Sequence, residues 1–197
     1  GVVKINSDNH ITDFVEKPAE FVSDLAIIGI YYFNDGENLM KELQFLIDNN
    51  IKDKGEYQLT NALENMKQKG KIFSIGTVDE WLDCGNKDAT VYTSQRVLEH
   101  NKNTSVVNEN IDLINSEIIE PCYIADGITI KNSKIGPHVS IDSGSIIEDS
   151  EISNSIIQSK STIKNAKLKN SMVGNHTFFD GHKVDQEISI GDFCEIR

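Results

Sequence analysis

The stretch that decides the fold is residues 147–173, IEDSEISNSIIQSKSTIKNAKLKNSMV. Its aliphatic residues fall at Ile147, Ile152, Ile157, Ile163, Leu168 and Val173, every five or six positions. An α-helix returns to one face about every 3.6 residues and a strand about every two, so neither produces this spacing. A stack of triangular coils does. Each side is a short strand that points one aliphatic residue inward, and each corner takes small or polar residues. The rhythm extends backwards through Ile118, Ile124, Ile130, Ile135 and Ile141, with corners at Asp126-Gly127, Ser143-Gly144 and the Asn-Ser pairs that begin at Asn132, Asn154 and Asn170. The five-residue steps depart from a strict six-residue repeat. An irregular all-β sandwich of short strands is the competing arrangement; the sustained recurrence favours coils.

The pattern resembles the hexapeptide-repeat, left-handed parallel β-helix, and the resemblance alone implies the handedness, because crossovers between parallel strands are otherwise right-handed. On this reading residues 101–197 are the β-helix, with 178–197 a loop and one last coil or cap. Its flat faces and open end would offer a surface for a homo-oligomer.

Outward from the coils, residues 86–101 form a helix that links them to a region of different character. GVVKI and ITDFVE flank the turn-forming NSDN and predict a hairpin. AIIGIYYF, residues 26–33, predicts a strand buried on both faces. ENLMKELQFLIDNN places Leu39, Leu43, Leu46 and Ile47 on one helical stripe that stops at Asn49 and Asn50. YQLTNALENMKQKG predicts a second helix ending at Gly70, and KIFSIG a returning strand. The domain boundaries expected are 1–85, a linker helix at 86–100, and 101–197.

The formal net charge of −12 over 197 residues argues against a nucleic-acid partner, which needs a basic stripe to displace counterions. Small phosphorylated ligands stay compatible, because one pocket lysine and a divalent cation hold a phosphate locally. The longest apolar run is AIIGIYYF, far shorter than a bilayer span. Cys84, Cys122 and Cys194 are scattered and odd in number, giving neither a disulfide framework nor a zinc ligand set; a reducing cytoplasm is the expected compartment.

Two short stretches carry charge in a pattern that chemistry uses. FVEKP ends a predicted strand with Glu16 beside Lys17, either a solvated turn or two groups that address one ligand. EWLDCG sets Asp83 between Trp81 and Gly85, so that it either projects from a rigid floor toward a metal, or caps the helix near Asn86 while Trp81 is core. Cys84 is expected to be a small buried thiol. Glu56 in GEYQLT either faces a site or is a helix N-terminal acid, and Tyr31, Tyr32 and Phe33 are expected to pack, with one ring near a ligand.

GVVKI, FVEKP, AIIGIYYF, GEYQLTNALENM, EWLDCG and the repeat with its NSMVGNH ending, in that order, resemble the sugar-1-phosphate nucleotidyltransferases, particularly the long thymidylyltransferases that append a β-helix. The resemblance covers nearly the whole chain. It implies an α/β catalytic portion of Rossmann-like type followed by the all-β left-handed parallel β-helix. It further implies that Gly1 and Glu16 contact the sugar, that Lys17 engages the sugar phosphate and serves catalysis, that the backbone at Ile27 lines the sugar site, and that Asp83 binds Mg2+. The partners implied are a sugar 1-phosphate, glucose 1-phosphate by default, and a nucleoside triphosphate, dTTP by default. The family's glycine-rich nucleotide loop and its Pro-Lys pair are not among these residues, so the chain is expected to be part of a longer enzyme and inactive alone. A β-helix also occurs in acyltransferases that use a histidine between coils as general base, which makes His138 and His176 candidates for that role. A third reading assigns the β-helix to assembly or regulation without catalysis.

Overall fold

The computed structural model describes residues 1–101 and 107–197; positions 102–106 of the expected β-helix region lie outside the described residues. The chain divides into two compact units, Gly1–Trp81 and Leu82–Arg197.

In the first unit, β1 (Val2–Ile5) and β2 (Ile11–Val15) form the predicted antiparallel hairpin, with Val3 opposite Phe14. The helix α1 (Gly36–Asp48) starts at Asp35, whose carboxylate accepts from the Asn38 amide at 3.0 Å, and stops at Asn49, followed by Asn50 in the left-handed region. Leu46 is its buried anchor, while Ile47, expected on the same stripe, is exposed. The helix α2 (Leu59–Gln68) packs on α1 and β2 and ends through left-handed Gly70, where the Lys71 amide reaches the Met66 carbonyl at 3.0 Å. Val3, Leu46, Ala62, Leu63 and Met66 form the core, and Phe14 meets Phe73 edge-on with ring centroids 5.3 Å apart.

Two strand expectations fail here. Residues 26–33 make one bridge, Ala26 to Val2, and Ile30 and Tyr32 are 77% and 89% exposed, so the segment is not buried on both faces. Residues 71–76 are likewise extended, joined to the hairpin by the single bridge between His10 and Ser74. The cause is the same in both. Among the described residues of this unit the sheet has two strands, and an apolar run with β propensity becomes a buried strand only where neighbours cover it.

The second unit begins with α3 (Lys87–His100), capped by the Asn86 side chain on the Ala89 amide at 2.9 Å. Among the described residues sixteen short strands follow in three parallel sheets, so that each strand pairs with one a full coil away. The first face is built from Glu117–Ile118, Lys134–Ile135, Glu151–Ser153, Lys167–Lys169 and Asp185–Gln186. The second contains Cys122–Ile124, Val139–Ile141, Ser155–Ile157, Met172–Val173 and Ser189–Ile190. The third runs from Ile111–Ile114 to Glu195–Ile196. This is the triangular parallel β-helix expected, and residues 178–197 extend it with strands on all three faces. Ile124, Ile130, Ile135, Ile141, Ile147, Ile152, Ile157, Ile163, Leu168, Val173 and Phe179 fill one continuous core.

The five-residue steps have a regular place. Ile124 pairs with Ile141 and Ile141 with Ile157, so a coil is 17 or 16 residues rather than 18. Steps of five fall at the corners turned by left-handed Asn132, Asp149 and Asn165 between the third and first faces, and by Asn154 and Asn170 between the first and second; the corners between the second and third faces, turned by left-handed Gly127, Gly144 and Lys160, take steps of six. Asparagine and aspartate tolerate that backbone region better than other non-glycine residues. The small residue after the turn points inward and stitches coils together. Ser133 and Ser150 amides donate to the hydroxyls of Ser116 and Ser133, and the Ser171 amide to that of Ser155, all at 2.9–3.1 Å. Buried backbone donors are thereby satisfied where the strands end. On the outside of the first face, Glu117, Lys134, Glu151, Lys167 and Asp185 stand in register with alternating sign; Lys131, Glu148, Lys164 and Asp180 do the same beside the corner. Lys134 lies 3.2 Å from Glu117, and Lys164 2.7 Å from Glu148.

Candidate functional site

β2 ends at Val15, and the next two residues are the charged pair. In a continuing strand Glu16 and Lys17 would face opposite ways. Lys17 instead adopts φ of 40°, which breaks the alternation. Glu16 then reaches the first turn of α2 and Lys17 the segment just ahead of it. Thr60 Oγ1 donates to Glu16 Oε2 at 3.3 Å, and Lys17 Nζ lies 3.8 Å from Glu56 Oε2. Lys54 Nζ donates to the Lys17 carbonyl at 3.3 Å and adds a second ammonium to the turn.

Gly1 completes this corner. A Cβ placed on it would lie 3.0 Å from Glu16 Oε2, 3.1 Å from Ile27 Cδ1 and 3.5 Å from Thr60 Cγ2. The Ile27 amide donates to the Gly1 carbonyl at 2.9 Å, which fixes the two segments side by side. Gly1, Glu16 and Ile27, read from separate stretches of sequence, therefore meet around one point, with Lys17 adjoining. Beside them an open groove of about 530 Å³ is lined by Val3, Phe14, Ile27, Tyr31, Leu63 and Phe73. Partial burial pushes the Tyr31 hydroxyl above its ordinary pKa, and the Glu16 carboxylate adds to the shift. Tyr31 thus senses the charged corner while its ring faces the groove.

Asp83 belongs to the second unit, in the irregular segment 82–86 ahead of α3. The cap of α3 is Asn86, so Asp83 does not serve that purpose. Its carboxylate folds beside Gly85, where a Cβ would stand 2.9 Å from Oδ2. Among the described residues no group of three or more His, Cys, Asp or Glu is arranged to hold a metal. One exposed carboxylate suits Mg2+, which takes one or two protein oxygens and completes its shell with water and phosphate; it does not suit a cation that needs an all-protein cage. Two expectations around it fail: Trp81 is 61% exposed rather than core, and Cys84 is exposed rather than buried. Among the described residues no sheet strand pairs with the segment 82–86.

Sequence reasoning missed Thr60 and Lys54. Thr60 is 6% exposed and sits three residues before buried Leu63, on the inward face of α2. A polar residue on an apolar helical face was the available signal. Glu56 precedes α2 and pairs with Lys17, so it is not an acid of the helix's first turn. His138 is tied to Glu99 of α3, and His176 stacks on Phe193 with centroids 4.9 Å apart.

Residues 1–100 match the family model for nucleotidyl transferases. The chain belongs to the nucleotidyl transferase family. It is 28% identical over 192 residues to a glucose-1-phosphate thymidylyltransferase of Streptomyces griseus, an alignment that covers 89% of this chain and 53% of the relative. It is 28% identical over 187 residues to the bifunctional protein GlmU of Latilactobacillus sakei subsp. sakei, with 86% and 39% covered. A glucose-1-phosphate adenylyltransferase of Fervidobacterium nodosum is 26% identical over 218 residues, with 100% and 49% covered. The chain spans about half the length, or less, of these nucleotidyl transferase relatives. No helix among its described residues is long and apolar enough to cross a membrane.

Proposed function

We propose that this chain supplies the sugar-phosphate side of an enzyme that joins a sugar 1-phosphate to a nucleoside triphosphate. A phosphate oxygen of the sugar 1-phosphate attacks the α-phosphorus, the bond from that phosphorus to the bridging oxygen breaks, and pyrophosphate leaves with its electron pair. A nucleotide sugar is the product. The observation that carries the reading is the meeting of Gly1, Glu16 and Ile27 beside Lys17. Glu16 accepts from sugar hydroxyls, and the bare α-carbon of Gly1 lets the ring approach Ile27. Lys17, with Lys54 next to it, donates to the phosphate one bond away. Such transfers need in-line positioning and neutralised phosphate oxygens rather than covalent chemistry by the protein, which is what a lysine and a fixed acceptor provide. Asp83 would hold Mg2+, which when bound supplies further neutralisation of phosphate charge. The likeness to a glucose-1-phosphate thymidylyltransferase supports glucose 1-phosphate as the sugar and dTTP as the nucleotide; a cytoplasmic setting, where both are available, belongs to the same reading.

The test is titration of the 197-residue chain with glucose 1-phosphate, followed by NMR. Expected are shifts centred on residues 1, 16, 17 and 27 in the wild type, lost in Lys17→Ala. Shifts that are absent from those residues, or unchanged in Lys17→Ala, overturn the assignment. Assembly through the β-helix is a separate proposal, which light scattering on the same sample decides.

A further inference from the structure

The segment that carries Asp83 is held by the helix that follows it. A threonine within a helix ordinarily returns its hydroxyl to the carbonyl four residues back. Thr90 does so, to Asn86 at 2.8 Å, and also approaches the Cys84 carbonyl at 3.3 Å. Thr93 behaves differently: its Oγ1 donates to the Asp83 carbonyl, ten residues earlier, at 2.6 Å. Two consecutive carbonyls of an otherwise irregular, exposed segment are therefore clamped to one helix.

That helix is itself fixed along the β-helix. At its start Lys87 Nζ donates to the Asn170 carbonyl at 2.9 Å, and Asn170 Nδ2 donates to Asp88 Oδ1 at 3.1 Å. Midway, the hydroxyls of Ser94 and Ser140 are 3.2 Å apart, and at the far end Glu99 meets His138. Val91 and Leu98 are buried. Asn170 and His138 are left-handed residues of the same corner row, between the first and second faces. A rigid stack of coils thus sets the helix, and the helix sets the two carbonyls.

We propose that the β-helix positions Asp83, acting through α3 with Thr93 as the positioning residue. The role of Asp83 as a metal ligand rests on the function proposed above; the clamp itself does not. A fixed carbonyl at 83 fixes the backbone from which the carboxylate springs, so a site built on a loop acquires the rigidity of the repeat.

The test uses ¹⁵N relaxation on the 197-residue chain in four forms: wild type, Thr93→Val, Thr93→Ser and Lys87→Met. Wild type and Thr93→Ser should show order parameters near about 0.85 at residues 83–85, and Thr93→Val and Lys87→Met should fall below about 0.6 there. Values at Ile147 and Ile163 should stay unchanged and show that each variant is folded. Wild-type order at 83–85 in either Thr93→Val or Lys87→Met overturns the proposal. Mn2+ alone is the second probe. It should broaden residues 83–85 in the wild type, not in Asp83→Asn, and less in Thr93→Val. A wild type left sharp by Mn2+ removes the metal reading of Asp83, while the order parameters still decide the clamp.

Discussion

Thr60, 6% exposed at the start of α2, donates its hydroxyl to Glu16 Oε2 across 3.3 Å. A carboxylate anchored in this way is held in one orientation beside Gly1. Replacing Thr60 with Val keeps the shape and removes the donor, so affinity for glucose 1-phosphate should fall about tenfold, as for a lost hydrogen bond to a charged group. Thr60→Ser should retain affinity. Calorimetric titration of both variants measures the difference; equal affinities would detach Thr60 from the site.

Gly1→Ala inserts a methyl group 3.0 Å from Glu16 Oε2 and 3.1 Å from Ile27 Cδ1. Both neighbours are side chains that can yield by a few tenths of an ångström. The fold should survive with its melting temperature nearly unchanged, while sugar-phosphate binding weakens. A variant that binds as well as wild type would show that the corner has more room than the structure indicates.

Glu42 is a buried acid, 4% exposed, and both its oxygens meet Lys69 Nζ, at 2.6 and 2.8 Å. Lys69→Met leaves that acid without its partner and should cost about 2–3 kcal/mol of stability. The double variant Glu42→Leu/Lys69→Met should recover most of the loss. Urea denaturation of the three proteins checks both statements.

Acid should loosen the start of α1. The Lys71 ammonium, 2.7 Å away, and then the Asn38 amide hold the Asp35 carboxyl below the ordinary carboxylate range. A folded-state pKa below the unfolded one gives a contribution that is complete above the unfolded value and disappears as pH falls through the folded one. Asp35→Asn should therefore differ from wild type in amide exchange of the first turn at neutral pH, and the difference should vanish in strong acid. High salt should shrink it as well, because the pair is exposed.

The β-helix was legible because each coil repeats one decision: an aliphatic residue inside, then Asn, Ser or Gly where the backbone must turn. Even the irregular steps carried information, since the steps of five fall at the corners entering or leaving the first face, turned by residues such as Asn154 and Asn170. Residues 26–33 were misread because an apolar run records the propensity to be covered and not whether a neighbouring strand is there. Gly1, Glu16 and Ile27 were singled out by a family pattern, each through its own short motif, and the structure shows them close together. Thr60 carries no such mark; its part depends on α2 lying against the end of β2, a tertiary fact with only a buried hydroxyl to announce it.

The alternating rows on the outside of the coils restrict how such a domain can change length. Removing one coil would bring Glu117 against Glu151 and Lys131 against Lys164, acid on acid and base on base along two rows at once. Removing two restores opposite neighbours throughout. A prism of this kind grows or shrinks most easily by pairs of turns, so its height carries a parity that the oily interior, indifferent to sign, does not impose.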